Sequence, residues 1–137
     1  MMNEGNTNIN SKAMIYKTQQ VMTAPPQELA MMLYNGAIRF VTENIRAIEE
    51  KNMNKAHEAN MRAQDILREL MNSLDMKNEV SQGLLTMLDY LEFRLIQANV
   101  KKDPVQLEEA KNLLIELRDT WFQAMKLARE QAIAQTG

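Results

Sequence analysis

Residues 103–128, DPVQLEEAKNLLIELRDTWFQAMKLA, decide how this chain folds. Leu107, Ala110, Leu114, Leu117, Trp121, Ala124 and Ala128 recur at alternating steps of three and four, which is the seam of a helix packed against other helices. Asp103 stands where a side chain can cap the first turn, and Pro104 follows at the first helical position, where its missing N–H costs nothing. The spacing predicts a helix from Pro104 that frays near residues 131–137.

Working back towards the N-terminus, the same period recurs three times. Val80 to Lys102 carries Leu84, Leu88, Leu91, Leu95 and Ala98 on one side. Asn54 to Asp75 repeats Ala56, Ala59, Ala63, Ile66 and Leu70, with Leu67 and Leu74 widening the seam; its alanines permit a neighbouring helix to come close. Pro26 to Glu50 has two stripes, Leu29, Leu33, Gly36 and Phe40 beside Tyr34, Ile38, Val41, Ile45 and Ile48, so it needs cover from two sides. Thr23-Ala24-Pro25-Pro26 opens that helix, and polar stretches at 51–54 and 75–78 separate it from the next two. No segment alternates with a period of two between turns. Four helices of similar length joined by short loops must alternate in direction, so the expected fold is all-α, an antiparallel four-helix bundle over residues 23–137. Residues 1–22 are expected to be a mobile segment that packs on the bundle: their start is polar, and the patch Ala13, Met14, Ile15 and Tyr16 is too small to form a core alone.

Composition narrows the chemistry. The 137 residues suit one domain, and 45% hydrophobic with 25% charged residues is ordinary globular usage. There is no cysteine, which removes disulfides, thiol nucleophiles and thiolate metal sites and fits a reducing compartment such as the cytoplasm. The start of the chain has no apolar signal region, and no apolar run nears the roughly 18 residues of a membrane span, so membrane insertion is not expected. A net charge of −2 speaks against nucleic acid as partner. A di-iron bundle needs Glu-x-x-His pairs, yet the single histidine, His57, follows Asn54 at that spacing. His57 could serve phosphotransfer, with Lys55 and Arg62 near it on the helix; adjacent Glu58 and the lack of a nearby glycine favour a plain solvent-facing histidine. The four glycines are isolated, so no phosphate loop is present. Neither a cofactor nor a metal is expected.

Some apolar residues sit where the bundle has no use for them. Ile115 and Phe122 lie well off the last seam, Phe93 is nearly opposite the third one, and Tyr90 and Ile96 are off it as well. Met125, with Met31, Met32, Met61 and Met71 among the twelve methionines, adds adaptable apolar surface of the kind that holds varied partners. These features point to a protein that holds another polypeptide. A bundle that pairs as a homodimer through Phe93, Ile115 and Phe122 is the structural alternative.

Five stretches in order carry a resemblance. They are Tyr16 with Val21 through Leu29; Met32-Leu33-Tyr34-Asn35-Gly36-Ala37; Asp89-Tyr90-Leu91 with Arg94-Leu95; Ala98 through Asp103; and Leu117-Arg118-Asp119-Thr120-Trp121. From about Tyr16 to Met125 the chain resembles the bacterial flagellar secretion chaperones that bind flagellin. It departs from them at Leu88, where a tyrosine is common, and at Phe93, where a first arginine often precedes the second. The resemblance implies an antiparallel bundle in the cytoplasm that binds the disordered C-terminal segment of flagellin, prevents early polymerisation and presents it to a component of the export gate, with no enzymatic step. Together with the off-seam positions, it places Ile15, Tyr16, Tyr34, Asn35, Tyr90, Phe93, Arg94, Asn99, Ile115, Phe122 and Met125 on the partner-binding surface.

Overall fold

A computed structural model describes residues 26–74, 76, 77 and 79–136; the expected N-terminal segment lies outside them. Four helices follow one another: α1 (Pro26–Glu49), α2 (Met53–Asn72), α3 (Glu79–Lys101) and α4 (Pro104–Thr136). Each packs on its neighbour in sequence and α4 closes the ring against α1, while the two diagonal pairs do not touch among the described residues. This is the expected bundle.

The seams build its interior. Val41 and Ile45 from α1, Ala63, Leu67 and Leu70 from α2, Leu88, Leu91 and Leu95 from α3, and Leu107 and Leu114 from α4 form one buried cluster. Gly36 stands where α2 comes close: a Cβ there would meet Ile66 Cδ1 at 3.2 Å. Ala56, Ala59 and Ala63 of α2 are buried, and against α3 Asn60 Nδ2 donates to the Leu95 carbonyl at 3.0 Å while its Oδ1 accepts from Gln64 Nε2 at 2.7 Å. Both amides are buried and each partly satisfies the other, as burial in apolar surroundings demands. Asn44, also buried, has neither side-chain atom hydrogen-bonded among the described residues.

Local chemistry sets the ends. Asn52 caps α2 by accepting from Lys55 N at 3.2 Å, and Asp103 caps α4 by accepting from Val105 N at 3.0 Å, as its position before Pro104 foretold. α1 and α3 end alike: the amides of Asn52 and Asp103 reach back five residues to the carbonyls of Ala47 and Ala98, around a lysine in the left-handed region, Lys51 at φ 59° and Lys102 at φ 50°. A side chain there crowds its own backbone, and glycine does not. Lys51→Gly should therefore raise stability by about 0.5–1 kcal/mol, the backbone relief less the entropy glycine adds to the unfolded chain, read from denaturant midpoints at constant slope.

α4 departs from expectation. It does not fray near residue 131 but runs 33 residues, to Thr136. Its seam stays buried only through Leu114; Leu117 and Trp121 are half-buried against the core, and Ala124 and Ala128 are exposed. The register explains this. Arg118 of α4 reaches Asn35 of α1, which lies nine residues from the start of α1, and nine residues beyond Arg118 the antiparallel α4 is at Leu127. The rest of α4 therefore overhangs α1 by roughly 13 Å at 1.5 Å per residue, with none of the other three described helices opposite it.

Candidate partner-binding surface

The bundle leaves a distinct set of apolar side chains in solvent. On α3, Tyr90 is 50% and Phe93 55% exposed, with Ile96 and Val100 beside them. At 100° per residue Phe93 points nearly opposite the Leu88/Leu91/Leu95 seam, so helix geometry turns it away from the core. On α4, Phe122 is 48% exposed, and Ile115, one heptad earlier, is half-buried. Arg118 turns to α1 and Glu109 turns to α3, which fixes the orientation of α4. Phe122 lies about 40° from Arg118 and about 140° from Glu109 around the helix, so Ile115 and Phe122 belong to the α1 side. The exposed residues thus make two strips on different sides of the bundle, one along α3 and one along the α4–α1 edge. Met125 is half-buried near the end of the seam and, with Ala128, Arg129 and Ala132, lines a shallow depression of about 260 Å³ on α4.

Four of the expected residues have other tasks here. Tyr34 is 1% exposed and belongs to the core; its hydroxyl has no hydrogen-bond partner among the described residues, and desolvation pushes its pKa up to about 12. It offers no surface to a partner in this structure, because it continues the inner stripe of α1 towards Ala37 and Val41. Asn35 accepts from Arg118 Nη1 at 3.1 Å and so ties α1 to α4. Arg94 pairs with Glu109, tying α3 to α4, and its guanidinium lies 5.8 Å from the Tyr90 ring centre. Asn99 bridges to His57 Nδ1 at 2.9 Å, tying α3 to α2. The exposed pair Arg68–Glu92 at 2.9 Å makes a second α2–α3 tie, and Glu92 raises the Arg68 pKa through that hydrogen bond and its charge. Polar residues expected to meet a partner thus serve as struts, whereas the aromatic ones stay uncovered. Ile15 and Tyr16 fall outside the described residues.

Sequence reasoning missed Asn60 and Gln64. The signal was there: 56, 60, 63, 67, 70 and 74 step by four and three without a break, so Asn60 holds a seam position that had been given to Ala59. It missed the Arg68–Glu92 strut because nothing in one helix reveals its partner in another.

Among the described residues no helix is long and apolar enough to cross a membrane, and no three His, Cys, Asp or Glu side chains gather as metal ligands. Compared with known proteins, residues 8–128 match the family model described as "Flagellar protein FliS". The chain belongs to the FliS family. It is 38% identical over 115 residues to the "Flagellar secretion chaperone FliS" of Bacillus subtilis, covering 84% of this chain and 86% of that one. The proteins of the same description from Salmonella typhimurium and Escherichia coli are 30% identical over 118 residues and 29% over 108, covering 84% and 77% of this chain and 87% and 79% of theirs. Family membership makes this chain a flagellar secretion chaperone by kind.

Proposed function

We propose that this protein binds the disordered C-terminal segment of flagellin in the cytoplasm, keeps it from polymerising early and hands it to the export gate of the flagellar secretion apparatus. One observation carries the reading beyond family membership: three aromatic side chains, Tyr90, Phe93 and Phe122, are about half exposed on two sides of a bundle whose core is complete without them. Rigid aromatics are the usual anchors of an interface. Two strips on different sides suit a long extended segment that wraps the bundle better than a compact partner seated on one face. Such a segment draws its affinity from the apolar area it buries, less the entropy cost of ordering it, and needs no nucleotide for binding or release.

Titrating the full chain with a peptide of the flagellin C-terminal segment in a calorimeter tests this directly. Saturable binding with a negative heat-capacity change is expected, since apolar surface leaves water. An absence of binding heat at several temperatures would sink the proposal, and self-association of the free chain through the same aromatics would favour the homodimer.

A further inference from the structure

His57 stands in the second turn of α2, and its Nδ1 lies 2.9 Å from Nδ2 of Asn99 in the last turn of α3. A third group decides which atom holds the proton. Lys102 Nζ, a donor only, reaches Asn99 Oδ1 at 2.6 Å. Turning the amide over would set its NH₂ against the ammonium, so Lys102 fixes Asn99 with its N–H groups towards the imidazole. Nδ1 must then accept, which requires a neutral ring carrying its proton on Nε2. Protonation of His57 would set two donors face to face. Lys102 is held for this role by its backbone, since its φ of 50° ends α3 beside Asn99.

We propose that His57, Asn99 and Lys102 form a proton-sensitive latch between the start of α2 and the end of α3, closed when His57 is neutral and released when it is protonated. Further charged residues near His57 on α2 are Lys55, Glu58 and Arg62, and Lys101 and Asp103 lie at the end of α3. Among the described residues no side chain of α1 or α4 bonds to it. Histidine is the side chain that changes charge between pH 5 and 8, and this chain has one.

The test compares melting temperatures of the full chain at pH 5.5 and 7.0 with those of His57→Gln, Asn99→Asp and Lys102→Met, and follows amide exchange at residues 98–102. Relative to His57→Gln, the wild type should gain about 2–5 °C on going to pH 7.0, the scale of one hydrogen bond in a domain of this size, and exchange at the end of α3 should slow. Asn99→Asp should reverse the sign, because a carboxylate favours the protonated ring. Lys102→Met should flatten the dependence, because the freed amide can turn its oxygen to the protonated ring. Parallel pH curves for the wild type and His57→Gln, or the same sign for the wild type and Asn99→Asp, would overturn the latch.

Discussion

Leu91→Ala is expected to lower the unfolding free energy by about 2–5 kcal/mol, the range for removing a leucine from a packed core. Leu91 has no exposed surface and lies between Leu88 and Leu95 at the centre of the α3 seam, in a cluster drawn from all four helices. The bundle gives little room for collapse into the space, because each helix packs on two neighbours, and α3 itself is tied to α4 by Arg94–Glu109 and to α2 by Asn99–His57 and Arg68–Glu92. The cost should therefore fall in the upper part of that range. Chemical denaturation measures it, and a loss below about 1 kcal/mol would show that α3 does not face the interior as described.

Phe93→Ala should do the opposite. The free protein should keep its stability within about 0.5 kcal/mol, because the ring is largely in solvent. Binding of the flagellin segment should weaken by about 2 kcal/mol, or roughly thirtyfold in Kd, as expected when an aromatic anchor is truncated. Phe122→Ala should behave alike on the other strip. If one segment spans both, the two losses should add within about 0.5 kcal/mol, so the double variant should bind about a thousandfold more weakly. An unchanged affinity for either single variant, measured by calorimetry, removes that strip from the interface. A large loss of stability would mean instead that the residue is part of the core.

The helices were legible because each repeats apolar residues at a spacing that only a helix can turn to one side; α1, α2 and α3 end within about three residues of where the pattern stops. The length of α4 was not legible from the seam. Ala124 and Ala128 continue the repeat, but burial depends on whether a neighbour extends as far, and α1 does not. The exposure of Phe93 and Phe122 was likewise readable, since both lie off the seam by arithmetic alone. The contacts of the polar residues were not. Asn35, Arg94 and Asn99 were expected on the partner surface by family resemblance, and in the structure each bonds to a neighbouring helix whose position one sequence does not reveal. Tyr34 shows the same limit from the other side, for a tyrosine at the edge of two stripes can face inwards or outwards.

A bundle lined with leucines has a weakness, since helices with a repeating seam can slide past one another by seven residues and still meet leucine with leucine. Asn60 works against that error between α2 and α3, together with two side-chain pairs at the same register. A slip of a heptad would move each group by about 10 Å along the axis. The Asn60–Gln64 bond lies within α2 and would survive, but Asn60 would leave the Leu95 carbonyl, and His57–Asn99 and Arg68–Glu92 would part. The buried amide thus acts as a key cut into the seam. It keeps Tyr90 and Phe93 at a fixed height beside the rest of the bundle.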